Sequence, residues 1–298
     1  MTALASTGDW RLVERVNIFT PLGIRFWDPA LDAPVNDGLR VRAYPEGARR
    51  PAVDATLTPS GVYAFHGLMG MRDVENSQLS AIPGSLPFIG RFLIEVEDTM
   101  RRFLPTALLV DAPYRGIYPT DQPQPGAGPP GIYLFSAPAR PASPLLATIR
   151  AQLSERLDAT HERPAAYAVM EIETATHDIW VGLADQRGAL ALLFAYPTFT
   201  ATSSAPSSLP PAPPVDRQSW PLTIRVRYQP SALVFSGGSP FPELRSVLSQ
   251  APAAVWSARA APPGQAASET STTLVFGQEL VMRSEQESVL LISPGSMP

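Results

Sequence analysis

The chain has 298 residues, 45% of them hydrophobic, a formal net charge of −4 and no cysteine; this is enough apolar chain for two folded domains and excludes disulfide staples and thiolate chemistry. All 23 basic residues are arginine, which removes any P-loop, Schiff-base or Ser–Lys mechanism, and the acidic balance leaves no footprint for nucleic acid. The 34 prolines are about twice the usual ~5% share and favour short strands joined by rigid turns over long helices.

Met1–Arg15 lacks the basic and apolar regions of a signal peptide, and no apolar run reaches the ~18 residues a membrane helix needs. Folding in the cytoplasm is therefore expected, wherever the chain travels afterwards. Val16–Phe26 is the first strand-like run. Asp28, Asp32, Asn36 and Asp37 follow in a small acidic loop that lacks EF-hand spacing and is interrupted by Pro29 and Pro34. It reads as an Asx-rich turn rather than a Ca²⁺ cage.

Gly38–Tyr44 alternates with period two and puts Leu39, Val41 and Ala43 on one face. The arginine pair Arg49-Arg50 falls in the next turn, and Thr58-Pro59-Ser60-Gly61 signals another before Val62–Phe65. Phe92–Asp98 and Phe103–Asp111 flank a short turn, Thr99–Arg102, and read as a hairpin carrying a second pair, Arg101-Arg102. Glu95 and Glu97 alternate with Ile94 and Val96, the pattern of a solvated strand face.

Thr120–Gly131 is a Pro/Gly linker. Beyond it, Leu145–Leu157 supports two readings. Ala147, Ile149, Ala151 and Leu153 alternate against Thr148, Arg150 and Gln152, as in a strand. Leu145, Ile149, Leu153 and Leu157 also recur at helical spacing behind Ser143-Pro144. The repeat of the second module and the resemblance given below favour strand. Thr200–Pro214 and Ala260–Thr272 are low-complexity. Phe241–Leu248 has the start signal of a short helix after Ser239-Pro240. Thr273–Met282 places Leu274, Phe276, Leu280 and Met282 on one face and pairs with Ser288–Ile292 as a hairpin. A hairpin this small must pack on a sandwich or add to a partner's sheet.

The fold expected is mainly β, with two Ig/prealbumin-like β-sandwich modules, 1–119 and 132–235, the second carrying the insertion 200–214. A linker, 120–131, joins them, and 236–298 forms a C-terminal extension of helix and β-hairpin. Pro164, Ala168-Val169, Ala184-Asp185, Gly188 and Pro197, in their order along the second module, resemble the sandwich of carboxypeptidase regulatory-type domains. The first module echoes it more weakly, with Thr-Pro-Ser-Gly in place of the Asp-x-x-Gly turn. The phrases GLRVRAYP, TPSGVYAFHGL, RRFLPTALLVDAPYRG and YLFSAPARP are similar to baseplate-associated proteins of phage-tail-like contractile injection particles.

That resemblance implies a structural role without catalysis, cofactor or metal. The partners would be other protein subunits of a large assembly, with no nucleic acid and no membrane span, and the location an assembled or released particle. The expected docking residues are Arg49, Arg50, Arg101 and Arg102 in turns, and Leu274, Phe276, Leu280 and Met282 on the C-terminal strand. The histidines His66, His161 and His177 fall in separate turns without metal-ligand spacing. A carbohydrate-binding module using Trp27 or Trp180 as a stacking platform is the alternative.

Overall fold

A computed structural model describes residues 19–48, 51–76, 89–114, 116–119, 131–197, 218–260 and 265–295. The described residues are mainly β, with 48% strand and 7% helix. In the first module the strands are β1 (Leu22–Ile24), β2 (Phe26–Asp28), β3 (Ala33–Pro34), β4 (Leu39–Pro45), β5 (Val53–Asp54), β6 (Thr56–Leu57) and β7 (Tyr63–Phe65). A short helix α1 (Arg72–Asn76) comes next, then β8 (Gly90–Asp98), β9 (Thr106–Ala112), β10 (Ile117–Tyr118) and β11 (Ile132–Tyr133).

One sheet runs β5-β4-β8-β9. Facing it are two smaller sheets, β10-β1-β7-β6 and β11-β2-β3. The expected hairpin forms as β8 and β9, in register Ile94↔Leu108. Alternation decides which side chains enter the core: Val41 and Ala43 from β4, with Phe92, Ile94 and Val96 from β8, meet Ile24, Phe26 and Phe65 from the opposite layer.

The second module contains β12 (Leu146–Arg156), β13 (Glu162–Pro164), β14 (Val169–Thr174), β15 (Ile179–Leu183), β16 (Ala189–Ala195) and β17 (Ser219–Arg227). A helix, α2 (Leu244–Leu248), precedes β18 (Ala253–Val255), β19 (Glu269–Val275), β20 (Glu279–Met282) and β21 (Leu290–Pro294). The 145–157 segment is a strand. Its period-two residues Ala147, Ile149, Ala151 and Leu153 are buried, while Leu145 and Leu157, which a helix would have placed in the core, are 78% and 54% exposed. β12 anchors one sheet by pairing with β16, β20, β13 and β21, and the other sheet runs β15-β14-β17-β19. Between them lies one core containing Ile149, Met170, Ile172, Phe194, Leu222 and Ile224.

The C-terminal strands do not pair as a hairpin. β19 joins β17, with Trp220 opposite Leu274, whereas β20 and β21 run parallel to β12, with Ile149 opposite Leu280 and Leu153 opposite Leu290. The reason is burial: an isolated hairpin leaves its apolar face wet, and dealing its strands to both layers completes the sandwich. Residues 132–136 likewise turn toward the first module, β11 pairing in parallel with β2 and Ser136 bridging Phe103.

The modules meet along the β15–β16 side of the second sandwich. Leu104 and Phe135 pack with Val169, Leu183 and Val247, and Ala30 packs on Ala191 and Leu193. The stretch before α2 crosses the outer face of the first module's main sheet, where Phe241 packs against Tyr44, Leu93 and Ala107. That cover corrects the expectation for Glu95. Its alternation with Ile94 and Val96 is real, but the middle of its face is covered: Glu95 is 1% exposed and sits 3.9 Å from Arg42, which also pairs with Glu97, whose side chain stays 41% exposed.

The Asp185–Gly188 turn shows why glycine is required there. The Asp185 carboxylate accepts hydrogen bonds from the Arg187 and Ala189 amides at 2.7 and 2.9 Å. Gly188 takes φ +80°, and a Cβ on it would collide with the Leu153 carbonyl oxygen.

Candidate functional site

Groups able to do chemistry are dispersed, each tied to a local partner. His66 Nε2 contacts Thr20 Oγ1 at 3.2 Å, His161 contacts Asp158 at 2.8 Å, and His177 contacts Glu173 at 2.7 Å. Within the acidic loop, Asp28 pairs with Arg140, Asp32 accepts the Trp27 indole N–H at 3.1 Å, and Asp37 pairs with Arg102. Among the described residues no three metal-capable side chains gather.

Of the expected docking residues, Arg49 and Arg50 lie outside the described residues. Arg102 is a structural fastener. Its Nε and Nη1 donate to Asp98 and Asp37 at 3.1 and 2.7 Å, and its Nη2 donates to the Asp37 carbonyl at 2.8 Å. Burial works against the Asp98 charge, but the hydrogen bonds from Arg102 and from the Met100 amide outweigh it and hold the carboxyl below its ordinary range. Above this cluster, burial and then the Asp37 charge push the Tyr63 hydroxyl up to about 12. Arg101, with φ +58°, stays exposed and lines a 450 Å³ groove beside Phe103, Leu104, Tyr167 and Asp185.

Leu274 and Met282 are buried in the second core, and Phe276 and Leu280 pack against it. Leu274 and Met282 are therefore core residues rather than a docking surface, while Phe276 and Leu280 are half-buried at the core's margin. The one-face alternation that suggested docking is the signature of burial, and the face it fills belongs to this chain.

The apolar surface left open lies elsewhere. A 720 Å³ groove runs between the modules, bounded by the β2–β3 turn and β11 on one side and by β15 and α2 on the other. Leu31 and Ile179, each 61% exposed, and Tyr133, 43% exposed, stand along it. Asp32 is the one carboxylate or cation among the described residues of its lining. Trp180 also lines it, stacked on Phe194 at 5.2 Å between ring centres, with its indole N–H buried and without a hydrogen-bond partner among the described residues. Trp27, held by Asp32, is not part of this lining.

Beyond α2 lies a second groove of 1110 Å³ lined by Arg91, Asp111, Tyr114 and Glu243. Burial, then the neighbouring Glu46 charge, raises the Glu243 carboxyl above its ordinary range. Neither groove is legible in the sequence, because each is assembled from segments more than a hundred residues apart.

No protein-family model matches the sequence, and no curated protein does. Weak matches among solved structures include the Bacillus anthracis TIE protein, at 8% identity and TM-score 0.22 over 88% of this chain. This chain spans 33% of that protein's length. A candidate adhesin from Bacteroides ovatus is similar at 9% identity and TM-score 0.22, over 71% of this chain and 73% of that one.

Proposed function

We propose that the chain is a non-catalytic assembly protein that works by packing against other protein subunits. The observation that carries this reading is the open apolar groove between the modules, where Leu31, Tyr133 and Ile179 stay exposed beside the packed joint. Apolar residues gathered in one groove point to an occupant, whereas scattered ones do not. The joint itself supports the reading. Its apolar contacts and its buried Asp28–Arg140 pair hold the two sandwiches as one block, and a preformed block presents a docking surface without the entropy of ordering it.

The particular assembly is a phage-tail-like contractile injection particle, at or near its baseplate. This part rests on the phrases GLRVRAYP, TPSGVYAFHGL, RRFLPTALLVDAPYRG and YLFSAPARP. A stable seat there would bury about 800 Å² per partner.

The test is purification of particles from the native host, with the chain followed by mass spectrometry. It is expected in intact particles alongside sheath, tube and baseplate subunits. A chain that stays monomeric and sediments apart from every particle would overturn the reading. Glycan-array binding abolished by Trp180→Ala would replace it with the carbohydrate-binding alternative.

A further inference from the structure

The groove offers more than apolar side chains. Consecutive residues line it from each side: Ile179, Trp180 and Val181 of β15, and Gly131, Ile132 and Tyr133 at β11. Alternate residues line a groove along a sheet face, but consecutive residues line one along a strand edge. Both strands are terminal in their sheets; just past them the outer edges are engaged, Ala184 bridging Leu190 and Ser136 bridging Phe103, but among the described residues no strand pairs with the outer side of Ile179–Val181 or of Ile132–Tyr133.

The bonding phase of β15 follows from its ends. The Thr174 amide donates to the Asp178 carbonyl, and the Ala184 amide to the Ala168 carbonyl. Bonded pairs recur at every second position of an antiparallel ladder, so Ile172 with Trp180 and Met170 with Gly182 are the bonded pairs of this register. The amides and carbonyls of Ile179 and Val181 therefore point away from β14. On the other side, the amides of Ile132 and Leu134 donate to the Arg25 and Trp27 carbonyls, which turns the backbone of Tyr133 away from β2.

We infer that an extended segment of a partner protein, apolar and carrying a basic side chain, docks in this groove as a strand added to the free edge of β15. The inference rests on the assembly reading and names the chemistry of its occupant. The exposed edge demands backbone donors and acceptors in extended form, which an added strand supplies. Leu31, Tyr133 and Ile179 call for apolar side chains. Asp32, with no cation among the described lining residues to balance it, selects a basic residue.

The test uses the full chain and a short synthetic peptide of alternating valine and threonine with a central arginine. The peptide is expected to bind and to protect the Ile179 and Val181 amides from hydrogen exchange. N-methylation of its alternate residues is expected to abolish binding. Asp32→Asn, at an exposed turn position, is expected to weaken the arginine peptide severalfold and to leave a glutamine-substituted peptide unchanged.

Equal binding of the N-methylated peptide, or exchange protection confined to other strands, would overturn the proposal. So would self-association of the chain that Ile179→Glu abolishes, since it would assign the edge to a second copy. Particles that incorporate Ile179→Glu as well as the parent chain would sink this inference and leave the assembly reading standing. A peptide that binds as described to a chain absent from every particle would do the reverse.

Discussion

Asp28 and Arg140 form a buried, two-pronged ion pair across 112 residues of sequence: Arg140 Nη2 donates to Asp28 Oδ2 at 2.5 Å and Nη1 to Oδ1 at 3.1 Å. Nη1 also reaches Ser136 Oγ at 3.1 Å, and the guanidinium lies 4.8 Å from the centre of the Phe103 ring. The Arg140 carbonyl in turn accepts from Arg150 Nη2 at 3.1 Å, and Arg150 Nε pairs with Glu279 at 3.0 Å. A chain of contacts thus runs from β2 of the first module into β12 and β20 of the second.

Because both members are buried, removing one leaves a charge without its partner. Arg140→Met is expected to destabilise the fold by about 3–5 kcal/mol, and Asp28→Leu by a similar amount. The double variant Asp28→Leu/Arg140→Met should lose much less than the sum of the single ones, since an apolar pair carries no desolvated charge. Urea denaturation of the three variants measures this. Additive losses would mean that the two side chains are not coupled as the geometry requires.

The core assignment of the C-terminal strands makes a prediction opposite to a docking role. Leu274→Ala is expected to cost about 2–5 kcal/mol of stability, the range for a large aliphatic cut from a closed core. A residue on an exposed docking face would change stability by less than about 0.5 kcal/mol. Thermal or urea unfolding of the isolated chain separates the two without any partner present.

Two glycines with the same backbone hand separate strain from collision. Gly47 has φ +77° and nothing near its missing Cβ, while Gly188 has φ +80° with the Leu153 carbonyl in the way. Gly47→Ala is expected to cost about 1–2 kcal/mol, the left-handed penalty alone. Gly188→Ala must add displacement of β12 to that penalty and is expected to be the more damaging of the two. Equal losses, compared by urea midpoint at constant slope, would show that the turn yields freely.

What could be read from the sequence was local. Alternation in Gly38–Tyr44, in the Phe92–Asp111 hairpin and in Ala147–Leu153 identified strands and their buried faces, because period two depends only on neighbouring residues. Which strand each would pair with was not legible. Leu274 and Met282 looked alike in pattern, yet they enter opposite sheets. Glu95 looked solvated because the segment that crosses its face, where Phe241 packs on Leu93 and Ala107, lies almost 150 residues away in the chain. The groove was invisible for the same reason: Leu31, Tyr133 and Ile179 carry no shared motif and meet only when β11 returns to β2 and the second module docks beside it.

Asp98 and Glu243 are displaced in opposite directions, so acid should affect them with opposite sign. Asp98 titrates lower when folded than when unfolded. The unfolded chain then binds more protons between the two values, so the stability that Asp98 contributes is present above about pH 4, the ordinary carboxylate value, and is lost as pH falls through its folded value. Glu243 titrates higher when folded. There the folded chain binds more protons, so stability declines as pH rises from about 4.3, the ordinary value, through the folded one. Asp98→Asn should therefore weaken the fold at neutral pH, by about 1.5–3 kcal/mol for the loss of charge-assisted hydrogen bonds, and flatten the acid limb. Glu243→Gln should remove the decline above its ordinary value and leave neutral stability unchanged or higher, because an amide in the same half-buried place has no charge to desolvate. Urea midpoints of the parent and both variants across the acid range check the pair of signs together. A Glu243→Gln variant that is less stable at neutral pH than in acid would contradict the assignment.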